Sequence, residues 1–192
     1  MTLRIIIAAC IAFLLAGCEP AKPPFNSVDV TGIQGYGSDF RLTDHTGKSR
    51  TMLDFRGKVV AIFFGFTFCP DVCPTTLSEM RQVMQQLGPQ SENLQVLFIT
   101  VDPKRDSAEV LSKYVPSFYP TFLGLYGDDA ATRQVTKDFK IIARVVIGQT
   151  PDSYTVDHSA GMLIFDGQGR LRLMASYGLG AEKLTADIKQ LM

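Results

Sequence analysis

The sequence predicts one α/β domain in which a mixed sheet is flanked by helices. Three observations carry this. Two apolar runs rich in β-branched and aromatic residues, "KVVAIFFGFTF" (58–68) and "LQVLFITVD" (94–102), lead into segments whose apolar residues recur at helical spacing. Hydrophobicity that is continuous, not alternating, marks a strand covered on both faces. The last third reads differently, as a hairpin followed by an amphipathic helix. Strand–helix units followed by a hairpin and a helix require a mixed sheet.

The elements follow in order. "DFRLTDHTGKSRTML" (39–53) has two extended runs around a His-Thr-Gly turn and predicts an N-terminal β-hairpin. The run 58–68 is the first buried strand, with Phe63, Phe64, Phe66 and Phe68 expected in core on its two faces. Residues 76–87 place Leu77, Met80, Val83, Met84 and Leu87 on one helical face. After the strand at 94–102, "SAEVLSKYV" (107–115) predicts a helix capped by Ser107. "FLGLYG" (122–127) is a short strand and "DAATRQVTKDF" (129–139) a helix. "ARVVIGQTPDSYTVD" (143–157) reads as two strands around a Gly/Pro/Asp turn. "GMLIFD" and "LRLMASY" flank the turn "GQGR", and "AEKLTADIKQLM" (181–192) closes the chain as an amphipathic helix.

The chain has 192 residues, 46% of them apolar and 20% charged, and its 19 cations balance its 19 anions. That length suits one domain with a sizeable core. Zero net charge argues against nucleic acid as a partner, since phosphate recognition rests on a basic surface.

The start of the chain stands apart. "MTLRIIIAACIAFLLAGC" places Arg4 before an apolar run from Ile5 to Ala16, too short for a comfortable membrane span and ending in small residues. It reads as an export signal over 1–17. "LAGC" resembles a bacterial lipobox, which would be cut before Cys18 and leave that thiol lipidated; several acyl chains anchor stably where one does not. "EPAKPPFNS" then begins a proline-rich tether, so that 18–38 lift a domain of 39–192 off the membrane. The expected location is the bacterial cell envelope at its periplasmic face, with the choice between inner and outer membrane left open.

With Cys10 removed and Cys18 occupied, Cys69 and Cys73 are the free cysteines, in an oxidising compartment. They sit in "FCPDVCPT", after a buried strand and before a helix, where α/β sheets gather their chemistry. A residue before proline avoids the α region, so both cysteines are expected to be non-helical. Pro74 suits a first helical position, with Cys73 as the N-cap, while Thr76 and Glu79 offer a competing capping box. Helix N–H groups would favour a thiolate at this place. The spacing brings the Cα atoms within the roughly 4.4–6.8 Å of a disulfide. A structural disulfide, a redox pair and a metal site all remain open. The first gains little by closing so small a loop. The second departs from the usual C-x-x-C spacing. A structural zinc site would want four ligands.

The chain has two histidines. His45, in "TDHTG", reads as a surface turn residue. His158, in "YTVDHSAGMLIFD", lies just before a buried strand, in the loop where thioredoxin-like proteins carry a proline facing their cysteines. This loop has none. Two thiolates and an imidazole make a three-coordinate set; soft sulfur favours Cu(I), and imidazole accepts both copper oxidation states. Asp71 and Asp102 are candidates for a supporting shell around the site, against ordinary turn chemistry. Met80, Met84 and Met162 read as packing residues and not as ligands. "CPTT" has some likeness to a peroxiredoxin site, but Pro70 stands where those enzymes need a threonine.

Three segments, "FGFTFCPDVCPTTL", "ITVDPKRDSAEVLSKYV" and "YTVDHSAGMLIFD", occur in the order and approximate spacing of the Sco/SenC family of copper-handling proteins, which the chain resembles from about Asp39 to Met192. The resemblance implies a thioredoxin-like fold with an inserted hairpin, 143–156, before the histidine loop. It implies Cys69, Cys73 and His158 as copper ligands, with no departure at any of the three. It further implies a metallochaperone for the CuA centre of cytochrome c oxidase subunit II or a similar copper protein, in exchange with other periplasmic copper or thiol carriers. The alternative is a periplasmic thiol–disulfide reductase that prepares a partner's cysteine pair without carrying metal.

Overall fold

The structure, a computed structural model, describes residues 23–150 and 153–192. Its strands are β1 (Val28–Asp29), β2 (Leu42–Asp44), β3 (Ser49–Arg50), β4 (Val59–Gly65), β5 (Leu94–Thr100), β6 (Leu123–Tyr126), β7 (Ala143–Ile147), β8 (Tyr154–His158), β9 (Met162–Phe165) and β10 (Leu171–Ala175). The helices are α1 (Val72–Leu87), α2 (Ala108–Phe118), α3 (Asp129–Asp138) and α4 (Ala181–Leu191).

Every residue of β4 and β5 is buried, and the two lie parallel at the centre of an eight-stranded sheet ordered β1-β10-β9-β4-β5-β6-β2-β3. The sheet is mixed: β6 runs parallel to β5, while β9 pairs antiparallel with β4. Alternation along β4 divides the core. Val59, Ala61 and Phe63 face Leu77, Met80, Val83, Met84 and Leu87 of α1, together with α2 and α4. Val60, Ile62 and Phe64 face Val135 of α3, Phe139, and the single turn 52–55. Each buried phenylalanine contributes about 2–3 kcal/mol by leaving water, so this central pair outweighs any single surface contact. The helical face 76–87 and the methionines on it pack as expected, as does Met162.

The expected hairpin at 39–53 forms from β2 and β3. Its turn is held by Asp44, whose fully buried carboxylate accepts from Thr46, Lys48 and Arg50. Burial pushes this carboxyl up, but the hydrogen bonds together outweigh it and hold it at about 2. A carboxyl depressed on folding stabilises in full above its unfolded range near pH 4, and that contribution is lost as pH falls through about 2. Acid unfolding of the Asp44→Asn chain should therefore show about 1–2 kcal/mol less pH dependence between pH 4 and 2 than the parent, after allowing for screening at the partly exposed Arg50. Identical acid transitions would mean that Asp44 is not a source of this dependence. His45 lies in that turn but is only partly a surface residue, because its Nδ1 accepts the Gly124 amide at 3.0 Å.

Two expectations about chain ends and strand ends need correction. The fold takes in residues ahead of Asp39. Phe25 packs on the core, β1 pairs with β10, and the amides and side chains of Asn26 and Ser27 all donate to the buried Asp187 carboxylate of α4. A two-residue strand has too little pattern to read, and its clamp lies 160 positions away. The first buried strand stops at Gly65, so Phe68 is 60% exposed and does not enter the core. The export segment 1–17 and Cys18 lie outside the described residues. Among the described residues no helix is long and apolar enough to cross a membrane.

Candidate metal centre

Because β4 and β5 are parallel neighbours, the loops after them emerge on one edge of the sheet. The loop after β4 carries Cys69, and α1 begins three residues later. The helix starts at Val72, with Asp71 as its N-cap, so Cys73 lies within the first turn and is not the N-cap. Pro74 is tolerated there because first-turn amides have no helical partner to lose. The capping box of Thr76 and Glu79 does not form: Glu79 accepts the Gly180 amide, and the Thr76 hydroxyl is buried without a partner among the described residues.

Early entry into the helix turns the Cys73 thiol inward, where it is fully buried, while Cys69 is only partly buried. Gly65 makes the room for it: a Cβ at that position would sit 2.8 Å from the Cys73 sulfur and from the Phe98 ring. Burial pushes the Cys73 thiol well above its ordinary range, and the neighbouring Cys69 adds to the effect. Burial therefore works against the thiolate that the helix terminus favours, and a metal binds this sulfur in competition with its proton.

The hairpin β7–β8 delivers the third group. His158 closes β8, and its Nε2 stands 3.5 Å from the Cys73 sulfur. The ring is walled edge-on by Phe63 and Phe66, and its Nδ1 lies 3.0 Å from the Ser159 carbonyl. The donor atoms of Cys69, Cys73 and His158 all lie within 4.8 Å of one another, a span that one ion at metal–sulfur and metal–nitrogen bond lengths can bridge. The donor chemistry fits a soft or borderline metal. Both cysteines are free thiols.

The supporting residues divide. Asp71 is exposed at the N-cap of α1, where its carboxylate accepts the Thr75 hydroxyl and caps no helix amide. Asp102 is buried at the end of β5, where it binds Arg105 and takes a 2.9 Å hydrogen bond from the Tyr154 hydroxyl of β8. Asp106, which sequence reasoning missed, is fully buried and accepts from the Thr67 amide and hydroxyl and from the Thr100 hydroxyl. Burial raises its carboxyl, with those donors pulling the other way. The signal was in the sequence: "VDPKRD" follows the strand beside the cysteine strand, so parallel pairing had to set these charges next to the loop 66–69.

The fold and site together define a class, a thioredoxin-like domain carrying a two-cysteine, one-histidine cluster able to hold a metal ion. The chain belongs to the SCO1/SenC family, whose model matches residues 28–192. It is 36% identical over 159 residues to an SCO2-like protein of Rickettsia felis, covering 82% of this chain and 78% of that one. The mitochondrial SCO2 homolog of Bos taurus is 37% identical over 156 residues; the match takes in 80% of this chain but only 59% of the bovine protein. Among solved structures, that of Bradyrhizobium japonicum ScoI with copper bound superposes with a TM-score of 0.76 at 36% identity, covering 82% of this chain and 99% of that one.

Proposed function

We propose that the chain carries copper on Cys69, Cys73 and His158 and delivers it to the CuA site of cytochrome c oxidase subunit II, working from a lipid anchor at Cys18 on the periplasmic face of the envelope. The observation that carries this is the convergence of three donor atoms from two distant parts of the chain to within 4.8 Å. Family membership and a relative that holds copper support it. Copper is cargo here. Cys69 is the sulfur that a partner can reach, and Cys73 with His158 forms the inner side of the site. Transfer then proceeds by exchange of ligands, with the partly buried sulfur released first, and each thiol recovers a proton as the metal leaves.

A second reading is favoured by the same asymmetry of one partly buried and one fully buried free thiol. The Cys69 thiolate attacks a partner's disulfide, one partner thiol leaves, and Cys73 resolves the mixed disulfide to free the second. This chain is left oxidised and needs a thiol carrier to reduce it again.

One experiment separates the two. In cells lacking the native protein, the full chain should restore oxidase assembly and purify with one copper per chain, while His158→Ala should fail in both. Restoration by His158→Ala, with both cysteines intact and no copper retained, would leave the reductase reading standing alone.

A further inference from the structure

The imidazole comes from a part of the chain that the main sheet does not hold. Strands β7 and β8 form a separate two-stranded sheet, and all five residues of β7 are exposed. Such a hairpin places its last residue accurately only where something ties it to the body of the domain.

Val156 of β8 is buried in the core, and Arg105 adds a second tie, made in three ways. Its Nε binds the Asp102 carboxylate, and the other oxygen of that carboxylate accepts from the Tyr154 hydroxyl at 2.9 Å. Its Nη1 donates to the Tyr154 carbonyl at 3.0 Å. Its guanidinium lies over the Tyr154 ring, 3.7 Å from the centroid. The same guanidinium also covers Phe68 at 4.9 Å and Phe66 at 5.6 Å, and Phe66 stands edge-on to the His158 ring, 5.7 Å between centroids. Two routes therefore lead from one side chain to one imidazole, through the strand that carries the ring and through the ring that walls it. Nη2 is buried with no partner among the described residues, so hydrogen bonding alone does not account for the orientation of this group. The planar fork matches a carboxylate, a carbonyl and an aromatic face together, which a lysine does not.

We propose that Arg105 is the positioning residue that sets His158 against the two sulfurs. This rests on the ligand set proposed above. Arg105 also covers Phe68 beside Cys69, but the cysteine loop has holds of its own in α1 and the Asp106–Thr67 contacts, so loss of Arg105 falls first on the imidazole.

The test uses the full chain, titrated with Cu(II) and with Cu(I), for Arg105→Met, Arg105→Lys, Tyr154→Phe and His158→Ala. Arg105→Met is expected to weaken Cu(II) binding by about 10–100-fold, as loss of a group that orients a ligand does, and to shift the visible spectrum of the Cu(II) form. Its rate of reducing a small aromatic disulfide should stay within about twofold of the parent. Arg105→Lys should recover part of the loss. If His158→Ala loses the Cu(II) spectrum and Arg105→Met keeps it, the positioning role is overturned while the ligand set survives. If His158→Ala itself keeps it, the ligand reading fails and takes this one with it. Tyr154→Phe, which removes only the hydroxyl bond to Asp102, should shift the Cu(II) spectrum less than Arg105→Met; should Arg105→Met lower thiol reactivity and both copper affinities together, the positioning role is overturned.

Discussion

Exchanging Cys73 for serine is expected to lower the affinity for Cu(I) by well over about 100-fold, beyond the range seen when only an outer partner of a metal ligand is lost. A hydroxyl is a poor ligand for a soft ion. The site that remains, one partly buried sulfur and one imidazole, is two-coordinate. The position is also fully buried and packed close to Gly65 and Phe98, so the variant buries a new polar group and loses about 1–2 kcal/mol of stability. Cys69→Ser should lose affinity on the same scale and lose less stability, because its side chain is only partly buried. A competition titration against a Cu(I) chelator, with thermal unfolding in parallel, reads both quantities. Retention of Cu(I) by Cys73→Ser at near parental affinity would remove that sulfur from the ligand set.

Asp106→Ala is expected to destabilise the domain by about 2–3 kcal/mol. It strips the acceptor from the Thr67 amide and from the hydroxyls of Thr67 and Thr100, and a buried donor left unpaired costs about 1–3 kcal/mol. Relief of the buried carboxylate's own desolvation keeps the sum at the lower end. For a domain of this size that corresponds to about 5–10 °C in melting temperature. Thr67 stands two residues before Cys69, so copper affinity should fall too, by about 10–100-fold. A melting temperature unchanged within about 1 °C would show that the Thr67 and Thr100 donors find water instead. Arg105→Met and Asp106→Ala should also differ in kind, the first reaching the imidazole and the second the loop of the sulfurs.

Much of this architecture was legible along the chain. Runs such as 59–65 and 94–100 leave one solution for their continuous hydrophobicity, and the period of Leu77, Met80, Val83, Met84 and Leu87 declares which face of α1 is buried. The elements that escaped are those whose partners are distant. β1 is two residues long and depends on Met174 and Asp187. The start of α1 was displaced by two residues because the proline rule excludes the α region for Cys73 only statistically, and the packing of its thiol against Gly65 and the core decided otherwise. Phe68 looked like a core residue because the pattern does not say where a strand ends; its ring lies under the Arg105 guanidinium instead.

Local chemistry alone determined a pair of thiols four residues apart after a buried strand, and the two-faced burial of 59–65 and 94–100, because each is written in residues within a few positions of one another. The tertiary structure alone decided that an imidazole 85 residues on reaches the buried sulfur, that burial disfavours ionisation of this sulfur, and that an arginine and two aspartates hold the parts in register. Distances across the sheet edge, and the exclusion of water there, arise only when strands far apart in sequence pair.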